Sequence, residues 1–214
     1  MLLREGGSAV ADEKVYRALV VLLHAAFVVL RVREGWKVLR SGGKVYDSAA
    51  DAEREGRWNS RLGSVLEVVI PASVLAYAFY PAWMAHLSLH LPAWLRVAGA
   101  ALAAASLVYL ALVHRALGLH WSTALRLREG HRLVTRGPYA RVRHPMYTAI
   151  FGYMAGLSLA ASNWALLLPR AVQMARLYAR IPGEERMLFE RFGEEYRAYA
   201  ARSGRLLPRR RRRL

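Results

Sequence analysis

The sequence has no cysteine, which removes disulfide frameworks, cysteine-ligated metal sites, thiol nucleophiles and palmitoyl anchors from consideration. Acidic charge is also scarce: 15 Asp and Glu stand against 32 Lys and Arg, for a net charge of +17. Such a balance ordinarily raises nucleic acid as a partner. Here the basic residues flank apolar runs of membrane-spanning length instead of forming one face of a soluble domain, so no nucleic-acid partner is expected and anionic lipid headgroups are the expected counter-charge. No G-x-G-x-x-G segment follows a strand pattern, so the dinucleotide fingerprint is missing as well. The first 14 residues are polar and carry no apolar core with a cleavage site. They predict no removable signal peptide, and the first apolar run is expected to stay as an anchor.

What is present is a series of apolar blocks. Residues 15–32 are nearly all Leu, Val and Ala with His24 in the middle, about the minimum length for a span at 1.5 Å per residue. Residues 33–61 are polar and of mixed charge and predict a loop with a short surface helix. A second span is expected over residues 62–83, interrupted by Pro71 and carrying Glu67, a charge that must be protonated or paired inside a bilayer. A third runs over residues 93–114 and contains Gly99 and Ser106, small residues that let membrane helices approach closely. His24 reads either as a functional group or as a neutral histidine hydrogen-bonded within the bundle.

The stretch from His131 to Tyr147 is basic, aromatic and punctuated by Gly137-Pro138. Its Pro145 opens 25 uncharged residues that end at Arg170, and proline at a first helical position costs nothing because its missing N–H would be unpaired there. Residues 145–180 would be roughly 54 Å long as one straight helix, well beyond a hydrocarbon core of about 30 Å. Ser162-Asn163 offers a turn near the middle. The loops on either side of spans two and three, 33–61 and 115–143, each carry seven Lys and Arg, whereas residues 81–92 carry none. Basic loops are retained on the cytoplasmic side, so a fifth crossing is needed to bring the basic tail, residues 209–213, back to it. The second leg of this hairpin sets Arg170, Gln173, Arg176 and Arg180 along one side, which should face the bundle interior. After Pro182-Gly183, the apolar positions Leu188, Phe189, Phe192, Tyr196 and Tyr199 recur at helical spacing and predict an amphipathic helix with Glu184 and Glu185 in its first turn. The expected fold is an all-α integral membrane protein of about five transmembrane helices with a cytoplasmic amphipathic C-terminal helix.

The order of these signals is more specific than any one of them. Leu-Val-Thr-x-Gly-Pro-Tyr is followed by Val-Arg-His-Pro-x-Tyr, a membrane hairpin, Arg-Ile, Glu-Glu, Phe-Gly-Glu-Glu-Tyr-x-x-Tyr and Leu207-Pro208. This resembles the isoprenylcysteine carboxyl methyltransferase family, with its prokaryotic relatives and the related phospholipid methyltransferases, over roughly residues 131–208. The resemblance implies a membrane enzyme using S-adenosylmethionine, with S-adenosylhomocysteine as product and the active site on the cytoplasmic side of the cytoplasmic membrane. It divides the chain into transmembrane helices over 1–118, a catalytic region over 119–208 and a basic tail over 209–214. It also implies that His131, Arg132, Leu133 and Val134 line the cofactor, that Tyr139 borders it, that His144, Pro145, Met146 and Tyr147 hold its methionine end, that Glu184 binds it, and that Arg180 sits at the substrate end as the catalytic residue. One position departs from the family: a cofactor-contacting glutamine of eukaryotic members is replaced by Ala124.

The residue chemistry suits those roles. A sulfonium, an adenosine and an amino-acid end call for an aromatic wall, an acid and a cation, and Tyr139, Tyr147, Glu184 and His144 or Arg143 supply them. A carboxylate acceptor is already ionised at pH 7, so methyl transfer to it needs neither a base nor a metal. A protonated amine would need a base, for which His24, Glu67 and Glu185 are the candidates. Phospholipid or other lipid-amine methylation is therefore the alternative enzyme reading, and a lipid- or partner-binding membrane protein the non-enzyme one. The expected partners are a lipophilic or prenylated substrate and membrane lipids, with oligomeric state and acceptor identity left open.

Overall fold

The computed structural model describes residues 2–42, 56–118 and 133–209, with side chains from residue 13 onward. In chain order the described elements are α1 (Leu2–Arg40), α2 (Arg57–Phe79), α3 (Pro81–Ala85), α4 (Ala93–Leu117), a 3-10 turn (Gly137–Ala140), α5 (Pro145–Ala161), α6 (Trp164–Phe192) and α7 (Glu194–Arg202). Three stretches, Glu13–Arg40, Arg57–Phe79 and Ala93–Leu117, are long and apolar enough to cross a membrane.

The centre of the bundle is α5, which buries Ala149, Ile150, Tyr153, Met154 and Leu157 against Leu110 of α4, Leu166 of α6 and Val20 of α1. Lipid is as apolar as leucine, so burial alone does little to hold membrane helices together, and dispersion at close approach must do more. The α4–α5 contact is built for that approach. A Cβ on Gly156 would lie 2.5 Å from the Ala103 backbone nitrogen, one on Gly99 would lie 2.7 Å from the Gly156 carbonyl oxygen, and one on Gly152 would meet Ser106 Oγ at 2.4 Å.

The hairpin turn forms where it was expected. Ser162 takes a left-handed conformation (φ 51°, ψ 45°) and Asn163 caps α6, its side-chain oxygen accepting from the Ala165 N–H at 3.0 Å. The turn docks onto α3 and the segment after it: Leu89 N–H donates to the Ser162 carbonyl (2.8 Å), Trp164 N–H to that of Leu87 (2.9 Å), and Asn163 Nδ2 to that of Met84 in α3 (2.8 Å). The uncharged loop and the hairpin tip thus share one end of the bundle.

The polar stripe of α6 faces α2, as membrane energetics requires. Arg170 is 1% exposed and donates to Ser73 Oγ (3.3 Å) and to the Leu166 carbonyl (2.9 Å). The Arg176 guanidinium lies over Gly63, where a Cβ would approach it to 2.9 Å, and Arg176 Nε donates to Gln173 Oε1. His24 is hydrogen-bonded within the bundle, its Nδ1 2.9 Å from the Tyr153 hydroxyl. Glu67 lies within electrostatic reach of Arg31 on α1.

Four boundaries differ from expectation. Residues 33–40, expected as loop, extend α1, with Glu34 taking a 2.6 Å bond from Lys37 one turn on; such pairs support helix even in polar sequence. The second span stops at Phe79, and Trp83 belongs to α3, because Pro81 suits a new helix start better than an interior position. Pro182 does not end α6. It removes the bond to the Tyr178 carbonyl, but both residues are exposed, so the freed oxygen lies on the outer side of the helix. Gly193 (φ 51°) is the real break, so Glu184 and Glu185 sit inside α6, and the acidic first turn belongs to Glu194 and Glu195 of α7.

Candidate functional site

At the end of the bundle opposite the hairpin tip, the chain enters α5 through the 3-10 turn and residues 141–144. The turn packs on α4, with a Cβ on Gly137 (φ 60°) placed 3.5 Å from Ala116 Cβ. Leu133 and Val134 are half-buried irregular backbone leading into it. His131, Arg132 and Ala124 lie outside the described residues. Tyr139 is half-buried, and its carbonyl accepts the Tyr199 hydroxyl at 2.7 Å. Burial, reinforced by Tyr199, Glu184 and Tyr109, pushes the Tyr139 phenol far above its ordinary range, so it stays protonated.

His144, the residue before Pro145, is 5% exposed and wedged between consecutive carboxylates of α6. Its Nδ1 lies 3.5 Å from Glu184 Oε2 and its Nε2 3.3 Å from Glu185 Oε1. Consecutive helix residues project about 100° apart, which lets the pair straddle one ring. Burial alone would favour the neutral imidazole. Hydrogen bonds to Glu184 and Glu185, together with their charges, outweigh it and raise the His144 pKa, which favours the charged ring that donates from both nitrogens. The other Glu184 oxygen accepts the Tyr147 hydroxyl. Tyr147 continues an aromatic row, 5.8 Å from the His144 ring and 6.0 Å from that of Phe151.

Glu185 is surrounded by donors: Arg143 Nε at 3.0 Å, His144 Nε2 at 3.3 Å, and Arg205 through NH2 at 2.5 Å and Nε at 3.3 Å. Burial would raise its pKa, but bonds from His144, Arg205 and Arg143 hold the carboxyl well below the usual carboxylate range. Arg143 is equally committed, donating also to the carbonyls of Ala200 (2.9 Å) and Ser203 (2.6 Å). Of the two cations offered for a ligand carboxylate, it is therefore the structural one.

The sequence-derived residues Tyr139, His144, Tyr147 and Glu184 are thus brought into one cluster. Pro145 is buried beneath it and Met146 packs into the core. Arg180 is half-buried one turn before Glu184 on the unbroken α6, so the two share a side of the helix. The part that sequence reasoning missed is the role of Glu185 as a shared anion and of Arg205 as its strongest donor. Arg205 sits in a segment with no periodicity, and only its place just before Leu207-Pro208 hinted at it.

Residues 94–190 match the isoprenylcysteine carboxyl methyltransferase family. Protein-S-isoprenylcysteine O-methyltransferase B of Arabidopsis thaliana is 38% identical over 79 residues, 36% of this chain and 40% of that protein. The nickel-cobalt-cadmium resistance protein NccN of Alcaligenes xylosoxydans xylosoxydans is 33% identical over 82 residues, 38% of each. The chain thus spans about 40% of the length of the curated relatives it matches. A solved structure of the eukaryotic intramembrane Ras methyltransferase, isoprenylcysteine carboxyl methyltransferase, superposes with a TM-score of 0.52 at 24% identity, covering 68% of this chain and 51% of that one. At that identity the likeness is one of fold, an all-helical multi-pass membrane architecture.

Proposed function

We propose, for a chain whose residues 94–190 match the isoprenylcysteine carboxyl methyltransferase family, that it transfers a methyl group from S-adenosylmethionine to the carboxylate of a lipophilic, prenylcysteine-like acceptor at the cytoplasmic membrane surface. The observation that carries this reading is the cluster of His144, Tyr147 and Glu184, which joins the start of α5 to α6 beside Tyr139.

The donor set fits this cofactor. Glu184 keeps 23% of its side chain exposed while Tyr147 and His144 fix its direction, so it can accept ribose hydroxyls or an ammonium group. The Tyr147–Phe151 row offers ring faces to a cation. His144, with both ring nitrogens on Glu184 and Glu185, would act on a ligand carboxylate through its charge and not through a bond of its own, and the Tyr139 phenol would be a neutral donor. When bound, the cofactor supplies an electrophilic methyl on a sulfonium. Transfer of that methyl to a carboxylate would require no proton to be moved, so the residues of the chain would have only to hold, orient and desolvate the reactants.

This chain's residues would then orient and desolvate. Arg180, one turn from Glu184, would present two N–H groups to the acceptor carboxylate and aim the free lone pair in line. Excluding water favours a reaction in which an anion and a cation neutralise each other. The engagement of two of the three base candidates, Glu185 and His24, supports an acid acceptor over an amine. Glu185 is held ionised by three donors, a poor proton acceptor, and His24 is bonded within the bundle.

The test is a detergent preparation given tritiated cofactor with farnesylcysteine, phosphatidylethanolamine or no acceptor, alongside calorimetry with S-adenosylhomocysteine. Base-labile label on farnesylcysteine is expected. Base-stable label confined to phosphatidylethanolamine would overturn the carboxylate assignment, and no calorimetric binding would overturn the methyltransferase reading.

A further inference from the structure

Residues 203–206 leave α7 and turn back over the entrance to α5. There they pair with residues 141–144 in the manner of a short parallel strand: Gly204 N–H donates to the Arg141 carbonyl (2.9 Å), Arg143 N–H to the Gly204 carbonyl (2.7 Å), and His144 N–H to the Arg205 carbonyl (3.0 Å). Thr148 Oγ1 adds a bond to the Leu206 carbonyl at 2.6 Å. Arg143 NH1 reaches the Ser203 carbonyl, and Ser203, 1% exposed, donates its hydroxyl to the Tyr199 carbonyl at 2.6 Å. Three backbone bonds and two side chains, Thr148 and Arg143, thus fasten this segment to the stretch that carries His144, and Ser203 ties its start to α7. The packing leaves no slack, since a Cβ on Gly204 would lie 1.8 Å from the Leu207 carbonyl oxygen.

Arg205 adds a second kind of link. Its guanidinium meets both oxygens of Glu185, and Glu185 in turn holds His144 Nε2. The Arg205 side chain is 44% exposed while that of Glu185 is only 16% exposed. The outer residue therefore anchors an inner carboxylate, and that carboxylate touches the ring. Glu185 has two oxygens and three cationic neighbours, so its direction depends on how they share it. With Arg205 removed, Arg143 and His144 would draw the carboxylate inward, and the His144 ring would lose the fixed angle that it shares with Glu184 and Tyr147.

We propose that residues 203–206 form a strap that sets the cofactor-binding cluster, and that Arg205 is a positioning residue acting on His144 through Glu185. The inference rests on the reading that His144 and Glu184 receive S-adenosylmethionine. Arg205 does not itself touch the cofactor in this scheme. Its contribution should therefore appear in cofactor affinity and should depend on Glu185 being a carboxylate. The bonds from the strap backbone hold the segment whatever residue stands at 205, so loss of the guanidinium leaves the fold intact.

The experiment is a double-mutant cycle in the full-length protein, read by calorimetric affinity for S-adenosylhomocysteine and by acceptor KM. Arg205→Ala should weaken cofactor binding roughly 5- to 30-fold, the scale of one charge-assisted bond discounted for solvent screening at a side chain 44% exposed, with acceptor KM and melting temperature nearly unchanged. Arg205→Lys should restore part of this, because an ammonium supplies the charge without the two-pronged contact. In a Glu185→Gln background the same Arg205→Ala change should add little. Gly204→Ala, which displaces the strap without touching charge, should also weaken cofactor binding. Equal effects of Arg205→Ala in both backgrounds would refute action through Glu185, and wild-type affinity in Arg205→Ala would remove the positioning role altogether. A wild-type protein that binds no S-adenosylhomocysteine would overturn the methyltransferase reading and this inference with it. By contrast, wild-type binding with an additive cycle overturns the inference alone.

Discussion

Glu184→Gln tests the candidate site most directly. The substitution keeps the shape and removes one negative charge, leaving the Tyr147 hydroxyl and His144 Nδ1 facing a neutral amide. Any bond from Glu184 to a cofactor hydroxyl or ammonium would weaken at the same time. A charge-assisted hydrogen bond contributes about 1.5–3 kcal/mol. Glu184 keeps 23% of its side chain exposed, and solvent screening brings the expected loss to or below the lower part of that range, about 1–2 kcal/mol. This corresponds to a roughly 5- to 30-fold higher Kd for S-adenosylhomocysteine. Titration calorimetry in detergent measures it, with the melting temperature as a control for folding. Because Tyr147 and His144 keep a polar partner, stability should change by less than affinity. An unchanged Kd in a folded variant would refute the placement of the cofactor at this cluster.

Arg180→Ala is expected to lower kcat/KM for a carboxylate acceptor strongly while leaving cofactor affinity within a few-fold, with Arg180→Lys rescuing only part; full turnover in the alanine variant would remove the orienting role. Gly156→Ala forces a Cβ to within 2.5 Å of the Ala103 backbone, which should cost about 1–3 kcal/mol by driving α4 from α5 and lower the melting temperature; an unchanged melt would contradict the tight contact. A cysteine at His86, exposed in the uncharged loop beside the hairpin tip of a chain with no cysteine of its own, should react with impermeant reagents from the external side, and labelling only from the cytoplasm would refute the five-span arrangement. Ionised His144, its pKa raised by its carboxylates, contributes stability that is fully present below the ordinary imidazole value of ~6.5 and is lost as pH rises through the folded value. Glu185, its pKa depressed, contributes stability present above the ordinary ~4.3 and lost as pH falls toward its folded value. Melting temperature should therefore fall on the alkaline side in the wild type and fall less in His144→Gln; equal declines would refute a charged His144.

Much of the helix content was legible in local order. Long uncharged runs, a proline at a helix start and Ser162-Asn163 between two apolar halves each carry their physical cause within a few residues of chain. So do the alternation of basic and uncharged loops and the small residues of α4. The motif order from Leu133 to Leu207-Pro208 named Tyr139, His144, Tyr147 and Glu184, which the fold brings together in one cluster. Arg180 and Glu184 posed a harder case, because Pro182-Gly183 is equally compatible with a turn or a continued helix. Packing decided for the helix, the freed Tyr178 carbonyl lying on an exposed side.

What only the tertiary structure decided is how charges are shared across distance in sequence. Glu185 looked like a helix-start carboxylate or a base. It is instead the common acceptor of Arg143, 42 residues before it, and Arg205, 20 residues after it. The stripe of α6 likewise required α2 to be in place before Ser73 could be seen to accept from Arg170 and Gly63 to clear room for Arg176. Residues 203–206 show the limit most plainly. Their sequence has no periodicity, and their structure is a set of backbone bonds to residues 141–144 some 60 positions earlier, which any side chains compatible with the turn could make. Hydrophobic period and charge balance report on a residue's own helix. Backbone pairing and ion-pair sharing depend on which segment arrives beside it, and that is set by the packing of the whole bundle.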